Sequence, residues 1–171
     1  MPQLKQLGVG GALDDDFRLA TITHINVGEP TFGISPSDAV IYATLRAAAD
    51  APLDVMTKEA MKITNDLCAP LGMECSFDKC DEFAASINDP DAAQIAIAAM
   101  NKLNISHGEE GVPMRASEDF GVFGWQAKAA MLCLGPGEDY AALHRPDYDF
   151  HDDLIPIGVR IFDRIARDLL G

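Results

Sequence analysis

The feature that most constrains this chain is a pair of alternating, β-branched runs only a turn apart. Residues 19–29 (LATITHINVGE) alternate until Gly28, and residues 38–46 (DAVIYATLR) alternate again after the breaker Gly33-Ile34-Ser35-Pro36. A period of two with Thr, Ile and Val is the pattern of a strand, so the pair predicts two antiparallel strands joined by a loop. A helical stretch follows from about Asp54 to Leu71, because Leu53, Met56, Ala60, Ile63 and Leu67 recur at steps of three and four. Asp54 is placed to cap it, and Pro70 with Gly72 supplies the stop. Residues 73–83 (MECSFDKCDEF) alternate again and predict a third strand with one acidic face. The order is β-β-α-β. A split β-α-β sandwich contains β-α-β-β-α-β, so the first strand and helix are missing, and the Gly-rich residues 1–13 read as the loop that would follow them. Either the small domain is built differently or the chain begins inside a domain.

At Ile87-Asn88-Asp89-Pro90 the composition shifts, and an Asp cap with Pro at the first helical position opens a helix to about Leu103, with Ala93, Ile97 and Met100 inward. A second unit of α/β character starts there, which divides the chain into residues 1–87 and 88–171. Residues 108–111 read as a loop, and 113–120 as short and polar. Residues 129–134 (AAMLCL) are too apolar for a half-exposed strand and predict one covered on both faces, ended by Gly135-Pro136-Gly137. After a long acidic loop, a closing helix from about Pro156 to Leu170 carries Ile157, Ile161, Ile165 and Leu169 four apart, with Arg160, Arg164 and Arg167 off that line.

Among its 171 residues the chain has 13 Lys and Arg against 27 Asp and Glu, a net charge of −14, and no basic stripe, which excludes nucleic acid as an expected partner. Its 48% hydrophobic and 23% charged residues are those of a globular protein able to form a sizeable core. No apolar run approaches the ~20 residues of a membrane span, and the start, MPQLKQLGVGGALDDD, lacks the cationic and apolar regions of a leader. The expectation is a cytoplasmic protein without membrane contact. Cys68, Cys75, Cys80 and Cys133 form no CxxC pair, which argues against a disulfide framework or a zinc knuckle.

Several side chains have the chemistry of a site. His144 stands in the loop Ala141-Ala142-Leu143-His144-Arg145-Pro146-Asp147-Tyr148, either as a solvated bystander or as a ligand. Glu138, Asp139, Asp147, Asp149, Asp152, Asp153 and His151 nearby favour a divalent cation, although one loop cannot enclose it. Ser117-Glu118-Asp119 reads either as a helix N-terminus capped by Ser117 or as a polar loop at the edge of a substrate pocket. His24 alternates with Ile22 and is expected on the solvent face of its strand.

Read in order, Ala116-Ser117-Glu118-Asp119-Phe120, the apolar run with Gly135-Pro136-Gly137, Leu143-His144-Arg145-Pro146 through Tyr148-Asp149-Phe150, and Ile155-Pro156-Ile157-Gly158 resemble the C-terminal half of the zinc-dependent aminoacylase, hippurate hydrolase and carboxypeptidase family, peptidase family M-twenty, in its amidohydrolase branch. Gly28-Glu29, Phe32 to Pro36 and Ala39 to Arg46 resemble the family's lid. The resemblance implies an α/β (α+β) chain: a ferredoxin-like lid, or dimerisation, domain lacking its first strand and helix, followed by the C-terminal part of an α/β zinc-hydrolase catalytic domain. It also implies a hydrolase with two zinc or manganese ions, in which metal-activated water attacks the amide of an N-acyl amino acid or a related small amide or peptide, with a carboxylate as general base. The family pattern carries His144 onto the last metal ligand of the catalytic domain, Ser117, Glu118 and Asp119 onto the loop beside it, and Gly33 onto a lid position where many relatives have Asn.

The family's other metal ligands, its Glu-Glu pair and its lid His match nothing in this sequence. The expectation is therefore a C-terminal segment that is inactive alone and takes the remaining ligands from an N-terminal half encoded separately. An uncovered lid-like sheet also predicts self-association, with Leu19, Ile22, Val40 and Tyr42 at the contact. Two alternatives stand beside this: a non-enzymatic assembly module pairing through that sheet, and a small acidic cation-binding protein built on residues 138–153.

Overall fold

The computed structural model describes residues 2–171. They form a mixed α/β fold of helices and one small antiparallel sheet, in two compact units: Met1–Ala85 with Pro113–Ser117, and Ser86–Val112 with Glu118–Gly171.

In the first unit a short helix α1 (Pro2–Lys5) precedes strands β1 (Arg18–Val27) and β2 (Ala39–Ala47). The strands pair antiparallel from Arg18 opposite Ala47 to Val27 opposite Ala39, with a bulge between Ile22 and His24. The expected hairpin is thus present. The Gly-rich start is more than a loop. Gly10 N–H donates to the Arg18 carbonyl at 2.9 Å and Ala20 N–H to the Gly8 carbonyl at 3.0 Å, so part of β1's outer edge is already occupied. At the turn, Gly28 has φ +50° and a Cβ there would stand 2.7 Å from Pro36 Cβ; only glycine fits both the angle and the space.

Helix α2 (Asp50–Cys68) packs on β2 and buries Met56 completely. It starts one turn earlier than the pattern of apolar residues indicates. Ala49 is the cap residue, Asp54 lies inside the helix and does not cap it, and Pro52 sits in the first turn, where a missing N–H costs nothing. Pro70 and the left-handed Gly72 end it as expected. The predicted strand over 73–83 is absent: among the described residues no ladder partner lies beside it, and the segment runs on until Ala85 N–H donates to Asp50 Oδ1 at 2.7 Å.

In the second unit, α3 (Pro90–Lys102) begins where Asp89 and Pro90 place it, with Asp89 Oδ1 accepting from the N–H groups of Asp91 and Ala92 at 3.0 Å each. It buries Ala96, Ala99 and Met100 and packs on α4 (Leu154–Leu170), whose Ile161 is wholly enclosed. Of the inward positions expected on α3, only Met100 is fully covered; Ala93 and Ile97 are half-buried. The predicted strand at 129–134 is also absent, because among the described residues no second strand lies alongside to complete a ladder. The Asn88 amide takes the partner's place: Met131 N–H donates to Asn88 Oδ1 at 2.8 Å, and Asn88 Nδ2 donates back to the Met131 carbonyl at 3.1 Å. Among the described residues no helix is long and apolar enough to cross a membrane.

Candidate functional site

His144 occupies the turn of a tight loop in the second unit. Its φ is +69°, a left-handed conformation that few residues other than Gly, Asn, Asp and His adopt. The turn is closed by Arg145 N–H on the Ala142 carbonyl at 3.2 Å and Tyr148 N–H on the Arg145 carbonyl at 3.1 Å. Arg145 then grips Asp147 through both ends of its guanidinium, Nε to Oδ1 at 2.8 Å and Nη2 to Oδ2 at 3.0 Å. That contact holds the Asp147 carboxyl below its usual range. Arg145 and Asp147 thus pair across the turn, and His144 is left exposed at its corner.

Beside it in the chain, a hollow of about 320 Å³ is lined by Tyr140, Asp149, Phe150, His151, Asp152 and Asp153. The Tyr140 ring lies 5.6 Å from Tyr148, edge to face, and 5.1 Å from His151. Burial, then the Tyr148 hydroxyl and the Asp149 charge, push the Tyr140 phenol above its ordinary value. His144 does not line this hollow. A larger one, of about 500 Å³, lies in the first unit against Arg18, Glu59 and Lys62, and holds none of the expected site residues.

The polar loop divides. Ser117 belongs to the first unit, where its Oγ accepts from Arg46 Nη1 at 3.1 Å, the same nitrogen donating to the Arg115 carbonyl at 2.8 Å. Arg115 in turn donates to the Gly11 carbonyl and lies 5.4 Å over the Phe17 ring. Ser117 therefore secures the 113–117 segment and caps no helix. The short 3-10 turn Asp119–Trp125 begins at Glu118 without a side-chain cap. Glu118 and Asp119 belong to the second unit and stay exposed, with no hydrogen bond to either carboxylate among the described residues. Sequence reasoning missed Arg46 and Arg115, whose roles depend on residues 69 to 104 positions away.

Gly33 has φ +76° and open space where a side chain would begin, beside the fully exposed Phe32. Asn is the side chain that tolerates such a backbone best, so Gly33 preserves the conformation that Asn would supply.

The sequence pattern of peptidase family M20/M25/M40 matches residues 4–168. The chain belongs to that family. It is a family of hydrolases of the peptidase and amidohydrolase kind, generally metal-dependent. No solved structure matches the chain. For this family member, the donors in hand do not fit a metal centre by themselves: among the described residues no three His, Cys, Asp or Glu side chains are gathered to hold an ion, and His144 offers one imidazole.

Proposed function

We propose that this member of peptidase family M20/M25/M40 carries the His144 part of a metal-dependent amidohydrolase centre, with zinc or manganese as the metal. In this reading the remaining ligands come from outside these 171 residues. The substrate class is an N-acyl amino acid or a related small amide or peptide. The observation that carries the reading is the family match over residues 4–168 together with the left-handed turn, spanned by the Arg145–Asp147 pair, that presents His144. A left-handed histidine costs conformational energy, and such strain clusters where a side chain has to be presented in one direction. Arg145 and Asp147 pair within the turn, and the exposed Glu118 and Asp119 are the carboxylates this reading offers to a substrate.

The test is complementation. The chain is mixed with the N-terminal half of an amidohydrolase-branch relative and zinc or manganese, and release of the amino acid from N-acyl substrates is followed. Activity that appears only with both halves, and is lost at least a hundredfold in His144→Asn, supports the reading; Asn keeps the positive φ, so the loss reports on the imidazole. Turnover unchanged in that variant overturns the role of His144.

A second reading rests on the exposed apolar side chains of the hairpin, Val40, Ile41 and Tyr42 on β2 and Ile25 and Val27 on β1. It makes the sheet a contact for another copy of the chain. Of the four residues expected there, Val40 and Tyr42 are exposed while Leu19 and Ile22 are half-buried. Sedimentation at low and moderate salt decides it, since salt screens the repulsion of −14 charges and should strengthen pairing.

A further inference from the structure

The hollow of about 500 Å³ in the first unit is lined by three pieces of the chain. The first is α1 and the turn after it. Leu4 is buried and seats this piece, while Gln6 and Leu7 N–H donate to the carbonyls of Gln3 and Leu4 at 3.2 and 3.3 Å; Gln3, Gln6 and Leu7 face the hollow. The second is Arg18, which opens β1 and shares a face of the sheet with the buried Ala20. The third is one turn of α2, from which Glu59, Lys62 and Ile63 join the lining.

The charges on this lining are only partly matched. Lys62 is taken up by Asp66 one turn along the helix. Arg18 and Glu59 border the same hollow, yet among the described residues neither forms an ion pair, with the other or with anything else. The half-buried Arg18 guanidinium offers a fork of donors shaped for a carboxylate, and the exposed Glu59 carboxylate accepts from an ammonium. A simple anion would meet Glu59 and the repulsion of a chain of net charge −14; a simple cation would meet Arg18. A zwitterion is neutral overall and satisfies both. Leu7 and Ile63, each half-buried, supply apolar surface, and the volume lies within the roughly 300–1,000 Å³ of small-molecule sites.

We propose that this hollow binds a free α-amino acid with an aliphatic side chain, its carboxylate on Arg18, its ammonium on Glu59 and its side chain against Leu7 and Ile63. The Gln3 and Gln6 amides add donors and acceptors beside the charged groups. Because the charges remain in contact with water, the expected Kd is on the order of 1 mM.

The test is a titration of the full chain, labelled with nitrogen-15, with L-leucine as the probe. Amide signals of Leu7, Arg18 and Ile63 should shift and saturate. Arg18→Gln should weaken binding about tenfold or more, and 4-methylpentanoate, which has the same carbon skeleton without the ammonium, should bind about fivefold more weakly than leucine. Should Arg18→Gln fail to fold, Glu59→Gln on the exposed side of α2 serves in its place: it should weaken leucine about threefold or more and leave 4-methylpentanoate unweakened. The absence of saturable shifts up to about 20 mM leucine, or shifts confined to the loop of His144, overturns the site. Unchanged leucine affinity in Arg18→Gln overturns the carboxylate contact, and equal affinity for leucine and 4-methylpentanoate overturns the zwitterion.

Discussion

The two units satisfy their extended backbone in different ways. In the first, β1 and β2 exchange ladder hydrogen bonds along nine pairs of residues, and Thr23 Oγ1 adds a bond to the Tyr42 carbonyl at the bulge. In the second, the apolar segment 129–134 has no strand beside it and is held by one asparagine amide, with Asp89 N–H donating to the Ala129 carbonyl at 2.8 Å. The difference teaches that alternation or apolarity makes a segment extended, while only a partner at ladder distance makes it a strand. Stability in the first unit is spread along a sheet and the helix packed on it; in the second it rests on the contact of α3 with α4.

The largest expected effect tests that division. Ile161→Ala empties the one wholly enclosed large side chain of the second unit and should cost roughly 2–5 kcal/mol in urea denaturation. A cost below about 1 kcal/mol would show that the helix pair is not where this unit's stability lies. On the hairpin, Gly28→Ala meets both a positive φ and Pro36, and should lose about 1–3 kcal/mol. Gly33→Ala faces open space and should lose only about 1 kcal/mol, and Gly33→Asn less; equal losses at the two glycines would remove the argument from Pro36.

Asn88→Ala sharpens the comparison from the other side. It should cost about 0.5–1.5 kcal/mol and accelerate exchange of the Met131 amide about tenfold, since no ladder bond remains to protect it. Thr23→Val in the hairpin should leave its amides protected, because the neighbouring ladder persists. An unchanged Met131 exchange rate in Asn88→Ala would mean that this segment has another partner.

The smallest effect is electrostatic. Arg164, and Lys102 from α3 at 2.9 Å, hold the Asp168 carboxyl at about 2. A depressed carboxyl stabilises the fold above its ordinary titration range near 4, and that contribution is lost as pH falls through about 2. The Tm difference between the natural sequence and Asp168→Asn should therefore be present at neutral pH and shrink on acidification below about 4. A difference independent of pH would show that the helix pair draws nothing from this contact.

Much of the local architecture was legible. Asp89 and Pro90 announce α3 because a cap acts within three residues, and the hairpin's alternating runs lie close enough to find each other. The start of α2 was misplaced by one turn because Ala49 and Pro52 carry no capping side-chain signal. Of the candidate site, His144 stood out as an imidazole in a loop, yet its left-handed turn and the grip of Arg145 on Asp147 are matters of backbone geometry that residue types alone do not disclose. The double reading of Ser117 was resolved only by Arg46, a residue 71 positions away that takes its hydroxyl.

By itself the sequence determined the family, the hairpin, and the helices α2, α3 and α4, because these follow from periodicity, caps and motifs that act over a few residues. Tertiary structure alone decided that 73–83 and 129–134 remain unpaired, and that Ser117 is held in the first unit while Glu118 and Asp119 belong to the second. Each of these depends on which backbone groups find a partner across the fold, and hydrogen bonds between distant residues leave no periodic trace in the chain.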